Sequence, residues 1–505
     1  MSTNYESLKR AALRGWNTWN SRSVACHVLM PAGFALCLGF KEWGVGNVWL
    51  EHCLNEILVG RSGEHEEKVH PGAHACDGSY TDLRFTWRGL SVRIQSATQG
   101  DDLVLLVSRL DSGERRAHLL VESAMLWNRP GKLSLENDTL TAELPGQTIR
   151  AYPTQNPVRE LNTAARGPFL ALDLQAEIGL STGQRRSLDE IRAIVAASRA
   201  RHETRAARYG GLAEVYTAMQ SCMGWDTIYE PERDRMVTPV SRIWNNTWGG
   251  YVLFCWDTYF AALMAALDNK ELAYSNALEI TREATEDGFV PNFASAGGLK
   301  SRDRSQPPVG ALTVHALYRR FGEDWFVREI FDDLLTWNRW WDSHRQVAPG
   351  LLAWGSHPFT PRANAGVETE ATNLWQGAAF ESGLDNSPMY DDIPFDAGRH
   401  LMLLADVGLN ALYVSDCACL AELADALGRA RTRRRSRRIA RPSGRLCRRP
   451  ALAVERRTRH LPQPAHGYRR VFDPSFACQL LPAAHRRSHA PTDAPHGGRA
   501  FLQPG

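Results

Sequence analysis

The clearest pattern in the chain is a two-residue alternation between Leu83 and Ile94. Leu83, Phe85 and Trp87 alternate with Arg84, Thr86 and Arg88; beyond Gly89, Leu90, Val92 and Ile94 alternate with Ser91, Arg93 and Gln95. This period gives a strand one buried face and one wet face. Leu133 and Leu135, an Asn137-Asp138 turn and then Leu140 repeat the pattern on a smaller scale. Short antiparallel strands of this kind predict a β-sandwich domain over residues 1–185.

Near Ser187 the period changes. Ser187 with Glu190 makes a capping box, and Leu188, Ile191 and Val195 share a helical face. The expected product is a linker helix within 186–211, ended by Gly210-Gly211. Helices then follow one another through 212–427: 259–267, 272–284, 308–321, 325–344, 397–407 and 412–427. In the longest, Phe326, Ile330, Leu334, Trp337 and Trp341 fall on one side, with Val327 and Phe331 beside them. Two long, polar, Gly/Pro-rich connections, 287–307 and 349–393, separate them. Loops of that length are uncommon unless functional. Antiparallel helices with such loops gathered at one end are what a helical toroid would give.

Beyond Leu427 the texture changes abruptly. Residues 428–505 contain 19 Arg and three acids, a charge of +16, whereas residues 1–427 carry −13. Arg, Pro, Ala and His dominate this tail without a helical or strand period. A basic disordered arm and a folded basic domain are two readings. The favoured one is a reading-frame shift in a GC-rich gene, since out-of-frame GC-rich codons yield this composition. Cys usage adds little: ten Cys form no C-x-x-C pair, and Cys417 and Cys419 lie two apart on an expected helix. Free buried thiols in a reducing compartment are expected. The polar N-terminus has no apolar h-region, so no signal peptide is read and the expected location is cytoplasmic. No apolar run reaches membrane-spanning length.

Two segments carry candidate chemistry. Trp256-Asp257-Thr258-Tyr259-Phe260 opens a helix. Asp257 there is either a first-turn acid that supports the helix or a carboxylate that binds sugar hydroxyls beside a stacking Trp256. Sixteen Trp fit sugar stacking, but a large core uses them equally well. The second segment, Phe380-Glu381-Ser382-Gly383-Leu384-Asp385-Asn386-Ser387-Pro388, lies in the long loop. Two carboxylates four apart around a Gly suggest a shaped turn that presents acids; a plain Asx turn at Asp385-Asn386 is the bland reading. His315 and His357 read as loop or core histidines, and His400 as a surface residue on a helix.

Glu381-Ser-Gly-Leu-Asp385-Asn-Ser-Pro388 resembles the "ESG-any-DNSP" loop of family 63 glycoside hydrolases, and Trp256-Asp257-Thr-Tyr-Phe260 resembles their "WD-any-any-F" segment. Gly288-Phe289-Val290-Pro291-Asn292 and Asp303-Arg304-Ser305-Gln306-Pro307-Pro308 look like their substrate loops. Gly15-Trp-Asn-Thr-Trp-Asn20 and Arg22-Ser23-Val24 look like the N-terminal segment of bacterial members. The resemblance covers about residues 15–427. It implies an N-terminal β-sandwich and then an (α/α)6 toroid, here incomplete; with the basic tail, read from its composition as out of frame or disordered, the chain is expected to be a multidomain β + α protein. It implies hydrolysis with inversion of an α-glucoside or α-mannoside, such as a glycosylglycerate, a disaccharide or an oligosaccharide.

Asp385 would then be the general acid, with Glu381 a possible neighbour to raise its pKa. The implied sugar-binding set is Trp256, Asp257, Phe260, Asn292, Gln306, Trp354, Glu381 and Asn386. The family's general base is a Glu near the end of the barrel. Only Glu455 follows Leu427, in an Arg-rich run matching nothing in the family, so the role is not transferred to it and the chain is expected to be impaired. A non-catalytic carbohydrate-binding remnant is the alternative. No cofactor, metal, nucleic acid or membrane partner is expected; the expected partner is a carbohydrate.

Overall fold

The computed structural model describes residues 3–43, 52–58, 67–244, 248–357 and 375–429. All but the first two residues of the basic tail, and with it Glu455, lie outside them. The chain divides into two compact units: Met1–Ile280 with Phe293–Leu299, and Thr281–Asn292 with the chain from Lys300 onward.

The first unit opens on a helix, α1 (Thr3–Ala12), where only strands were expected. Fourteen strands follow in the described residues: β1 (Gly15–Asn17), β2 (Cys26–Met30), β3 (Phe34–Glu42), β4 (Cys53–Leu54), β5 (Lys68–His74), β6 (Tyr80–Trp87), β7 (Leu90–Gln99), β8 (Asp102–Arg109), β9 (Ala117–Met125), β10 (Lys132–Glu136), β11 (Thr139–Leu144), β12 (Gln147–Pro153), β13 (Phe169–Asp173) and β14 (Glu177–Thr182). They pair antiparallel into two sheets. One runs β1-β2-β3-β9-β13 with β4 beside β3; the other runs β10-β11-β12-β14-β8-β7-β6-β5.

The alternation read from the sequence is the burial pattern of β6 and β7. Leu83, Phe85, Leu90, Val92 and Ile94 are buried, and with Phe34, Leu36, Leu38 and Phe40 of the other sheet they form one apolar core. The β6–β7 turn places Arg88 and Gly89 at positive φ, and the β10–β11 turn does the same with Asn137 and Asp138. Paired left-handed residues match the twist of a two-residue hairpin, and Asn and Asp tolerate them better than other side chains do.

The helix expected as a linker, α2 (Leu188–Ala207), has the capping box at Ser187 and Glu190. It lies on the second sheet, where Ile191 and Val195 pack with Tyr80, Ala97, Val104 and Leu106. After a short turn, α3 (Ala213–Asp226) packs against β5. Gly224 permits that approach, since a Cβ there would overlap the His74 ring. Trp225 donates from Nε1 to the Gly72 carbonyl at 2.8 Å.

The same helix end is gripped by Arg242, which is buried. Its guanidinium donates to the carbonyls of Trp225, Gly224, Thr18 and Asn20 and to the Thr18 hydroxyl. Burial lowers its pKa to about 10, so it stays charged at neutral pH. Thr18 and Asn20 belong to the Gly15–Asn20 motif, so one role of that motif is to supply oxygens to this cation. A hairpin of β15 (Ile228–Glu230) and β16 (Arg235–Val237) leads to β17 (Val252–Phe254) and then α4 (Cys255–Ala265). Then come α5 (Lys270–Arg282), which runs across the boundary between the units, and β18 (Phe293–Ser295), paired with β17.

In the second unit, α6 (Gly310–Phe321) ends at Gly322 in the left-handed conformation, and α7 (Asp324–His344) returns at once. The stripe read on α7 is its buried face: Phe326, Ile330, Leu334, Trp337 and Trp341 are all buried. Then follow a hairpin of β19 (Gln346–Ala348) and β20 (Leu351–Leu352), α8 (Trp375–Glu381), a hairpin of β21 (Phe395–Asp396) and β22 (Leu401–Met402), and α9 (Val407–Ala426). The helix expected over 397–407 is absent. His400 turns the chain at φ 57°, and Leu401 and Met402 are buried strand residues, so His400 sits in a hairpin.

By length and apolar composition α9 would suffice to cross a membrane. It packs instead against α6 and α7 and carries a buried carboxylate. Asp416 accepts from the Ala311 amide at the start of α6 (2.9 Å) and from Asn338 Nδ2 on α7 (2.8 Å). A carboxylate on one helix thereby caps another.

Candidate functional site

Because α6 and α7 form a tight antiparallel pair, the start of α6 and the end of α7 lie at one end. The connections on both sides of this pair therefore meet there. Glu381, the last residue of α8, is the knot that ties them. Its side chain is fully buried. Oε1 accepts from the Ser305 amide (3.0 Å) and Arg345 Nη2 (2.8 Å); Oε2 accepts from Arg345 Nε (2.7 Å) and the Gly355 amide (2.8 Å). A side-on guanidinium and two backbone amides satisfy a buried carboxylate fully.

Glu381 was expected to meet a sugar or to raise the pKa of Asp385. It does neither here: it is enclosed, and its oxygens are occupied by the protein. What it fixes is the turn that follows. Ser382 donates its hydroxyl to the Ala379 carbonyl (2.6 Å) and accepts from the Leu384 amide (3.0 Å). Gly383 takes the left-handed conformation (φ 69°) that ends a helix. Ser387 N then bonds Leu384 O at 2.8 Å, which puts Asp385 and Asn386 at the two central corners of a β-turn.

Both corner residues are exposed. Desolvation by the surrounding protein raises the Asp385 pKa above the ordinary carboxylate value, and the positive charge of Arg304 opposes it. Arg304 itself is buried. It donates to both Asp303 oxygens (2.9 and 3.0 Å) and to Asn292 Oδ1 (3.3 Å), and its guanidinium lies 4.9 Å from the Phe380 ring centre. The two loops likened to substrate loops are thus joined at Arg304. The Asn292 amide also bonds the Arg304 carbonyl. Ser305 donates to the Val290 carbonyl and accepts from Trp337 Nε1.

Arg304 is the residue of this site that sequence reasoning did not single out, although it lies inside a segment that was quoted. Asn292 and Gln306 are both buried beside it. Trp354, expected as a sugar-binding residue, is 3% exposed and packs edge-on to Trp341. Its ring is core, with no open face for a pyranose.

In the first unit, Trp256, Asp257 and Phe260 lie on α4. Phe254 is the residue before this helix and its side chain makes no capping bond; Asp257 is the acid of the first turn. Trp256 and Phe260, one helical turn apart, have ring centres 5.9 Å apart, and Phe260 is 39% exposed.

A cavity of about 920 Å³ opens elsewhere in the first unit, lined among others by Val24, Leu58, Pro71, Trp225 and Asp226. Burial pushes the Asp226 carboxyl up to about 6 against the pull of Arg242. None of the sequence-predicted site residues lines it. Nothing in the sequence around Asp226 signals this environment, because the residues that desolvate it are distant in the chain. Among the described residues, no three His, Cys, Asp or Glu gather to hold a metal ion.

Residues 250–447 match the model of one family, the mannosylglycerate hydrolase MGH1-like glycoside hydrolase domain. No curated protein matches the chain. Among solved structures, a family GH92 glycosyl hydrolase is similar at 13% identity and a TM-score of 0.31, over 86% of this chain and 63% of that one. The family GH92 α-mannosidase of Bacteroides thetaiotaomicron, in complex with mannoimidazole, is similar at 11% identity and a TM-score of 0.33, over 84% of this chain and 59% of that one. The chain spans about three fifths of the length of these solved structures.

Proposed function

We propose, from the premise that residues 250–447 form a glycoside hydrolase-like domain, that the protein is built to hydrolyse a short α-mannoside or α-glucoside with inversion, using Asp385 as the general acid. In this reading the two sheets that share one core are a β-sandwich, and the helices are part of an (α/α)6 toroid. One observation carries the reading: Asp385 stands exposed at the corner of a turn held rigid by Glu381, with its pKa raised by desolvation. A general acid must hold its proton near neutral pH and stay within reach of substrate, and the exposed position and the direction of the pKa shift both favour that role.

The chemistry follows from that placement. The Asp385 carboxyl gives its proton to the glycosidic oxygen as the C–O bond breaks. Inversion also needs a base on the opposite face of the ring to take a proton from the attacking water, with the two carboxyls about 6.5–9.5 Å apart; no residue of this chain is assigned that role, so its rate is expected to be impaired. For Trp256, Asp257 and Phe260, on α4 of the first unit, the resemblance implies sugar-binding roles by ring stacking and hydroxyl bonds. Activity should fall as pH rises through the raised pKa of Asp385.

The test is incubation of the purified chain with mannosylglycerate, glucosylglycerate and α-linked disaccharides, with NMR to follow the product anomer. β-Configured product appearing first supports the reading. Asp385→Asn should lower the rate by about 10²–10⁴-fold; a variant as fast as the parent would sink the assignment. A second reading, sugar binding without turnover, is favoured by one fact: Glu455 is the only Glu after Leu427, and it lies in an Arg-rich run. Calorimetric binding with no product in the same panel selects it.

A further inference from the structure

Cys26 and Cys37 are directly opposite each other in the β2–β3 hairpin. The Leu38 amide bonds the Ala25 carbonyl at 3.2 Å, which marks the neighbouring pair, Ala25 and Leu38, as hydrogen-bonded. Because the two kinds of pair alternate along an antiparallel ladder, Cys26 and Cys37 form a non-hydrogen-bonded pair. Such pairs bring Cα atoms to about 4.5 Å with both side chains on one face. That spacing falls inside the Cα range of about 4.4–6.8 Å that a disulfide spans.

The thiols meet: the Cys26 thiol is the largest influence on Cys37 and raises its pKa, with burial and the charges of Glu122 and Glu56 acting in the same direction. Glu122 is the residue opposite Cys37 on β9, so it faces the pair from the other side. Both thiols are free in the structure; Cys26 is fully buried and Cys37 is partly exposed.

We propose that Cys26 and Cys37 are a redox couple that closes a cross-strand disulfide when a small-molecule disulfide is the oxidant. Cys37, the less buried residue of the two, loses its proton and attacks the oxidant, forming a mixed disulfide and releasing one small thiolate. Cys26 loses its proton and attacks the Cys37 sulfur, releasing the second. Two protein thiols and one disulfide become one protein disulfide and two small thiols, and the two released protons end on those thiols. The raised pKa of Cys37 keeps the first step slow, so the pair rests reduced until a disulfide pool is present.

The experiment exposes the full chain to hydroxyethyl disulfide, blocks remaining thiols with iodoacetamide and digests it with trypsin. One peptide, 23–41, contains both cysteines. The expected product is that peptide two hydrogens lighter and carrying no alkyl group. In Cys26→Ala, Cys37 should instead accumulate the mixed disulfide with the reagent, because its resolving partner is gone. Recovery of the parent peptide doubly alkylated overturns the proposal. So does a stable mixed disulfide in the parent chain, or a link from either residue to another cysteine. Circular dichroism of Cys26→Ala reports whether the hairpin still folds; the parent result stands independently of it.

Discussion

The two-sheet core of the first unit and the loop end of the second are held together by opposite means. Between the sheets, stability is divided among many apolar side chains, each replaceable at modest cost. At the loop end it is concentrated in a few enclosed polar groups: the ion pairs of Glu381 with Arg345 and of Arg304 with Asp303, and the Asp416 carboxyl under the first turn of α6. Apolar burial is tolerant of position, whereas a buried charge requires every partner in place. A site that must aim a carboxyl has more use for the second arrangement, because hydrogen bonds fix direction as well as distance.

The contrast can be broken most directly at Glu381. Glu381→Ala strips the buried Arg345 guanidinium of its counter-charge and two backbone amides of their acceptor, and should cost about 3–5 kcal/mol in urea unfolding. A loss below about 1 kcal/mol would mean that the charges are not what holds the loops.

Asp416 gives the next largest effect, and it depends on pH. Burial pushes its pKa up to about 7 in the fold, above the value of an unfolded Asp. Its contribution is therefore full below the unfolded pKa and is lost as pH rises through 7. Asp416→Asn removes that titration. Its stability relative to the parent should climb between pH 4 and 8 by on the order of 3 kcal/mol and level off above that. Parallel pH profiles for the two proteins would contradict the assignment.

The sheet core should give the smallest response. Ile94→Val removes one methylene from a fully packed position and should cost about 1 kcal/mol, independent of pH. A pH-dependent loss there would dissolve the distinction between the regions.

The same division explains what could be read in advance. The strands β6 and β7, the Asn137-Asp138 turn, the Ser187 capping box and the stripe on α7 are all local: each is written within a few residues of where it acts. Failure came where a distant partner decides. The run over 397–407 is too short for its apolar spacing to separate helix from strand, and the burial of Leu401 and Met402 makes it a hairpin. Glu381 sits in a recognisable loop motif, but its partner Arg345 lies 36 residues away, so the sequence suggested a ligand contact where the fold uses a clasp. Trp354 entered the sugar-binding set only through the family resemblance; here it is buried and packs at a steep angle against Trp341. The motif at Asp385 was legible in the sequence, whereas the buried Arg304 behind it emerged only from the folded loops.

Arg242 has a consequence of its own. Its guanidinium is wrapped by carbonyl oxygens from two stretches of chain some two hundred residues apart, much as a crown ether encloses an ion. Acidity acts beside it, on the Asp226 carboxyl, but amide oxygens do not titrate and this grip contains no titrating acceptor. It demands instead that both stretches be present. A shortened product starting beyond Asn20 would lose three of the five hydrogen bonds of this buried cation, so the end of α3 and the chain through Arg242 are not independent of the Gly15–Asn20 segment.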